Sequence, residues 1–140
     1  MARRILLVDD DDDFLMILGD RLRSAGYDVA VARNGLDGIA AIRNGHPGAL
    51  PDMAGILLDV QMPVMGGLEA LQEMSAKFPS LPVIMMSSFA PVLIVSEAKR
   101  LGARGFFKKS QDLSGLLTLC VSTFGGPDVS TEKRRNDENQ

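Results

Sequence analysis

Gly55-Ile56-Leu57-Leu58-Asp59-Val60-Gln61-Met62-Pro63 is the stretch whose reading decides the fold. A short apolar run ends on a carboxylate, and a proline follows within a few residues. Proline removes a ladder donor and does not continue a central strand. The run therefore reads as a buried strand that stops and leaves Asp59 at its carboxyl end. Ile5-Leu6-Leu7-Val8 ends in the same way, on Asp9-Asp10. If the two strands are parallel, three carboxylates gather around one point. Like charges that close need a cation or a raised pKa. Oxygen ligands of this kind suit a hard divalent ion such as Mg2+.

Outward from this pair, strand-like and helix-like segments alternate. Strands are expected at residues 4–8, 28–32, 55–59, 81–86 and 105–107. Helices are expected at 12–25, 36–43, 67–78, 91–101 and 113–124. The first helix shows Phe14, Leu15, Leu18 and Leu22 at helical spacing and stops at Gly26. Residues 46–53 contain prolines and a glycine and read as a loop. Fivefold strand–helix alternation predicts an α/β fold: a doubly wound parallel sheet with helices on both faces and right-handed crossovers. Ligands in such folds bind beyond the carboxyl ends of the strands. Asp9, Asp10, Asp59, Ser87 and Lys109 all fall at or just after a predicted strand end.

A chain of 140 residues suits one domain, and 46% hydrophobic residues suffice for its core. The net charge of -3 gives no reason to expect contact with nucleic acid or an anionic membrane. The single Cys120 excludes an internal disulfide and suits a reducing compartment. Met1-Ala2-Arg3-Arg4 is basic, but the apolar run after it is too short for a secretory leader. No apolar stretch approaches membrane-spanning length. A cytoplasmic location is expected. From Gly125 onward Val129 is the only large apolar residue, so 125–140 is expected to be a disordered tail or a truncated linker after a domain at 1–124.

Four stretches together resemble the receiver domain of two-component response regulators. They are Ile5-Leu-Leu-Val-Asp-Asp10, Leu57-Leu-Asp-Val-Gln-Met-Pro63 followed by Gly67, Pro82-Val-Ile-Met-Met-Ser-Ser88, and Gly102-Ala-Arg-Gly-Phe-Phe-Lys-Lys109. The resemblance covers residues 3–124. It implies a flavodoxin-like sheet of order 2-1-3-4-5. It also implies that Asp59 accepts a phosphoryl group from a histidine kinase or a histidine phosphotransfer protein, in a Mg2+-dependent reaction. By position, Asp10 is implied as a direct metal ligand and Asp9 as one acting mainly through water. Asp59 supplies a carboxylate oxygen and Gln61 its backbone carbonyl. Ser87 and Lys109 are implied to meet phosphoryl oxygens. Ser87 and Phe106 are the implied switch pair, and Gln61 and Phe89 flank the path of attacking water. Counting from Gly102-Ala103 selects Lys109 over Lys108. The fourth helix, fifth strand and fifth helix are implied as the surface for a downstream partner or a second copy. Such a domain catalyses only its own phosphorylation and dephosphorylation.

The chain departs from the family pattern in several places. Ser110 stands where proline is usual, Phe106 where tyrosine is frequent, and Gly66 where an acid or amide is common. The loop 45–54 looks longer than usual. None of these removes a group the chemistry needs.

Other features read plainly. Asp11, Asp12 and Asp13 suit a helix N-terminus. His46 reads as a solvated loop residue, Cys120 as core, Met62, Met85 and Met86 as motif and strand core, and Lys133-Arg134-Arg135 as solvated tail. Val92-Leu93-Ile94-Val95 is different, because one helical face cannot bury four consecutive apolar residues. Exposure there would mark a docking face. Three competing functions fit less well. A hydrolase of the haloacid-dehalogenase type needs an aspartate where Gln61 stands. A dinucleotide site needs a glycine-rich turn where Asp9 to Asp13 stand. A phosphorylation-independent interaction module would not need the acids, hydroxyl and lysine that are present.

Overall fold

The computed structural model describes residues 3–43 and 53–127. The strands are β1 (Arg4–Val8), β2 (Asp28–Ala32), β3 (Met53–Asp59), β4 (Val83–Ser87) and β5 (Gly105–Lys108). The helices are α1 (Asp12–Ser24), α2 (Gly35–Arg43), α3 (Gly67–Lys77), α4 (Val92–Arg100) and α5 (Leu113–Phe124). All strand pairings are parallel, and the order is β2-β1-β3-β4-β5. Fold class and strand order are those expected from sequence.

Because successive strand residues face opposite sides, each strand feeds two core layers. Leu6, Val8, Ile56 and Leu58 pack under α2, α3 and α4 with Ile39, Leu71, Met74 and Ala98. Ile5, Leu7, Leu57 and Ile84 pack under α1 and α5 with Leu18, Leu22, Leu116 and Cys120. Ile5 to Val8 are all fully buried, which is why β1 reads as a continuous apolar run.

Local chemistry sets the element ends. Asp11 caps α1, its side chain accepting from the Phe14 N–H, with Asp12 and Asp13 in the first turn. Asp12 also pairs with Arg33 at 2.7 Å. Gly26 ends the helix at φ 105, a left-handed position that favours glycine. β3 begins at Met53, earlier than the expected Gly55, because Arg4 of β1 pairs with Met53. Of the expected loop 46–53, Met53 is the first residue of β3, and residues 44–52, His46 included, lie outside the described residues, as do 128–140 with Val129 and the Lys133–Arg135 patch. Residues 125–127 are held at the amino-terminal end of the sheet. There the Tyr27 hydroxyl donates to the Gly125 carbonyl at 2.6 Å, and the Arg3 N–H donates to the Pro127 carbonyl at 2.7 Å.

Gly67 fixes how α3 leaves β3. Its N–H donates to the Val60 carbonyl at 2.8 Å, and a Cβ there would lie 2.0 Å from the Asp59 carbonyl oxygen. Any side chain would push the helix off the strand end. Gly67→Ala is expected to lower unfolding free energy by about 1–3 kcal/mol. A Cβ at Gly115 on α5 would meet nothing within 4 Å. Gly115→Ala should therefore stabilise by up to about 1 kcal/mol through helix propensity. Urea titrations check both; a Gly67→Ala protein as stable as Gly115→Ala would contradict this packing.

Candidate functional site

Parallel pairing brings the strand ends level. Val8 aligns with Leu58, Asp59 with Met86, and Ser87 with Lys108. The residues that follow therefore collect at one pole. Asp9 is fully buried, Asp59 is 4% exposed, and Asp10 is exposed. Carboxylate oxygens of these three lie within 4.8 Å of one another. The Lys109 ammonium comes from the end of β5, 2.6 Å from Asp9 Oδ2 and 3.4 Å from Asp59 Oδ1. Its backbone N–H donates to the Ser87 carbonyl at 2.8 Å, extending the β4–β5 ladder. Lys108, one residue earlier, is exposed. Asp10, Asp59, Gln61, Met62, Ser88 and Lys109 border an open cleft of about 550 Å³.

Electrostatics follow from burial. Loss of water raises the Asp59 carboxyl, the neighbouring Asp9 charge raises it further, and Lys109 only partly offsets them; the pKa reaches about 7. Burial alone would lower the Lys109 ammonium, but contact with Asp9 and the charges of both aspartates raise it. Asp9 Oδ1 accepts from the Asp11 N–H at 3.0 Å. Asp9 Oδ2 is buried and has no hydrogen bond. It lies 2.6 Å from the Lys109 ammonium, a contact between opposite charges. An acidic trio whose carboxylate oxygens lie this close together fits a hard divalent cation.

The remaining expected residues lie around this centre in different states. Gln61 is exposed on the cleft wall. Ser87 is buried, and its hydroxyl is turned into its own loop, donating to the Phe89 carbonyl at 2.6 Å and accepting from the Phe89 N–H at 3.2 Å. Phe89 is 68% exposed. Phe106 is half-buried against the layer under α3 and α4, and borders a separate groove of about 390 Å³ beside α5. Val92 and Leu93 are exposed at 79% and 82%, whereas Ile94 and Val95 are half-buried. Cys120 is fully buried, and burial pushes its thiol up to about 12, which makes it an inert core residue.

Three neighbours of the cleft were not singled out as site residues from sequence. Ser88 lines it one residue beyond Ser87. The ring of Phe14 lies under the Lys109 ammonium, 4.6 Å from centroid to nitrogen. In sequence its spacing is equally that of a core residue of the first helix. Val64 adopts φ 69, and the Met65 N–H donates to the Pro63 carbonyl at 2.7 Å, a tight three-residue turn. For a β-branched residue this is strained by about 1–3 kcal/mol. Burial of Met65 in the core holds the turn in place. Among the described residues there is no cis peptide, at Lys109–Ser110 or elsewhere.

Residues 5–120 match the response regulator receiver domain family. The regulatory protein AtoC of Escherichia coli K12 is 34% identical over 113 residues, covering 81% of this chain and 23% of that protein. This chain thus spans about a quarter of the length of that relative. Sporulation initiation phosphotransferase F of Bacillus subtilis is 31% identical, covering 81% of this chain and 86% of that protein. A CheY-like receiver domain structure from Methanospirillum hungatei superposes with a TM-score of 0.80 at 27% identity, covering 89% of this chain and 94% of that one. The chain belongs to the receiver domain family of two-component response regulators. Domains of this family are signalling modules that generally bind Mg2+ at an acidic pocket and interact with histidine kinases and downstream partners. No helix among the described residues is long and apolar enough to cross a membrane.

The raised Asp59 carboxyl has a consequence for stability without metal. Its folded pKa of about 7 lies above the ordinary carboxyl value of 3.8. Between those values the folded state binds more protons than the unfolded one, so this group's contribution to stability falls as pH rises through the window. In metal-free buffer, Asp59→Asn should be more stable than wild type at pH 7.5, on the order of 1–3 kcal/mol. The gap should close toward pH 4. Urea midpoints across a pH series measure it; parallel curves for the two proteins would remove the raised carboxyl.

Proposed function

We propose that this domain accepts a phosphoryl group on Asp59 and uses it to switch the surface built on α4, β5 and α5. The observation that carries the reading is the convergence of Lys109 on Asp9 and Asp59, beside an exposed Asp10 and an open cleft. The donor is a histidine kinase or a histidine phosphotransfer protein in the cytoplasm. An Asp59 carboxylate oxygen attacks phosphorus, an O–P bond forms, and the P–N bond to the donor imidazole breaks, leaving an acyl phosphate. Such transfers ask mainly for positioning and for neutralisation of the equatorial oxygens. Lys109 supplies one positive charge. The carboxylates of Asp9, Asp10 and Asp59 and the backbone carbonyl of Gln61 would hold Mg2+. When bound, Mg2+ supplies the charge that offsets the carboxylates and the phosphoryl oxygens. Burial of Asp9 and its pairing with Lys109 support an indirect role for Asp9 and a direct one for the exposed Asp10. The bulky Phe89 cannot orient a water by hydrogen bonding. With Gln61 it would slow hydrolysis of the phosphoryl group.

The main test is chemical. Incubation with acetyl phosphate and Mg2+, followed by mass spectrometry, should place the adduct on Asp59 alone. Labelling should need the divalent cation and should disappear in Asp59→Asn. Robust labelling of Asp59→Asn would reject the assignment.

Ser87 links the site to the output surface. To meet a phosphoryl oxygen its hydroxyl has to release the Phe89 carbonyl, freeing the loop that leads into α4. Phe106 would then turn further inward, gaining about 2 kcal/mol of transfer free energy at most. The exposed Val92 and Leu93 offer the apolar face that a downstream protein or a second copy would cover. NMR spectra with and without beryllofluoride, which stands in for the phosphoryl group, should show shifts at Phe106 and across Val92–Arg100. Shifts confined to the cleft would favour a simple phosphate carrier, the role suggested by likeness to the sporulation phosphotransferase.

A further inference from the structure

We propose that Phe14 is a positioning residue for this phosphoryl transfer, its ring face holding the Lys109 ammonium over the cleft. The proposal rests on the reading of Asp59 as phosphoacceptor. Phe14 sits in the first turn of α1, where its N–H donates to the capping Asp11 side chain at 3.2 Å. Its ring packs against the layer formed by α1 and α5 and is half-buried. The Lys109 side chain is only 13% exposed, and its nitrogen lies 4.6 Å from the ring centroid. That is within the range of a cation–π contact, which strengthens when water is excluded.

The remaining contacts of the ammonium are the ones the reaction disturbs. Asp9 and Asp59 belong to the acidic trio that fits a divalent cation, and Asp59 carries the phosphoryl group afterwards. Both carboxylates are therefore drawn toward other charges during the reaction. An aromatic face has no lone pair to give a metal and does not compete for phosphoryl oxygens. It attracts the cation without offering a competing oxygen acceptor, so the N–H donors remain directed toward the carboxylates and the cleft. Leucine at this position would fill the layer but would not hold the ammonium. Tyrosine would keep the attraction.

The test combines a structural and a kinetic readout. In the free protein, ring current should shift the Lys109 ε-methylene protons upfield, and the shift should vanish in Phe14→Leu. With acetyl phosphate and Mg2+, Phe14→Leu should label Asp59 about three- to tenfold more slowly, and Phe14→Tyr should restore the rate. In a Lys109→Met background, Phe14→Leu should add no further loss. Labelling of Phe14→Leu at the wild-type rate, or an equal fold loss in both backgrounds, would reduce the ring to packing and overturn the proposal. Wild-type protein that takes no label on Asp59 defeats the phosphoacceptor reading itself, an outcome distinct from either.

Discussion

One lysine nitrogen between two aspartates out of water is the contact on which the rest of the molecule depends. Asp9 and Asp59 are both buried, and each lost most of its hydration when the sheet closed. A buried carboxylate without a counter-charge is expensive by several kcal/mol. Lys109 offsets part of that, at 2.6 Å from one and 3.4 Å from the other. Three carboxylates against this one ammonium still leave two negative charges to offset, and the Asp59 carboxyl is accordingly raised to about 7. A pocket in that state favours either a proton or a metal ion. Its stability and its affinity for cations are two measures of the same deficit.

Bringing those three groups together dictates the scaffold. They come from β1, β3 and β5, and β4 lies between the last two. Only a parallel sheet in level register puts all the carboxyl ends on one side, and parallel strands need long crossovers. The helices that serve as crossovers cover both faces and force the strands to be apolar throughout. At the far pole the chain is tied: Arg3 donates to the Phe124 carbonyl at 2.9 Å and Tyr27 to Gly125 at 2.6 Å. At the near pole the loops instead carry a strained Val64 and an exposed Phe89. The strained turn and the exposed ring thus lie at the end of the sheet that carries the acidic cleft.

Sequence made the fold legible because its signals were short-range. Apolar runs ending on Asp9 and Asp59, and a stop at Gly26, place the elements to within a residue or two. Its misplacements came from pairing. β3 starts at Met53 and β4 at Val83 because of partners on neighbouring strands, which no local pattern reveals. The acids and Lys109 were legible as a set because the topology delivers them to one edge. The present orientation of Ser87 was not, since a hydroxyl rotor depends on which oxygen is nearest, and here that is the Phe89 carbonyl. Nor was Phe14, whose spacing in α1 is equally that of a core residue.

The departure at Phe106 bears on how the proposed switch would be balanced. A tyrosine at this place carries a hydroxyl that must keep a partner in each position, and burial without one costs about 1–3 kcal/mol. A phenylalanine has no such group. Its preference between the groove beside α5 and the space near Ser87 depends on how much ring surface each removes from water, at about 25 cal/mol per Å². The ring is already half-buried, so the area left to gain is small. A switch biased that weakly stays near balance, and the hydrogen bond that Ser87 gives up to Phe89 is of similar size, about 1 kcal/mol. Reorientation of one hydroxyl would then suffice to tip the surface from one state to the other.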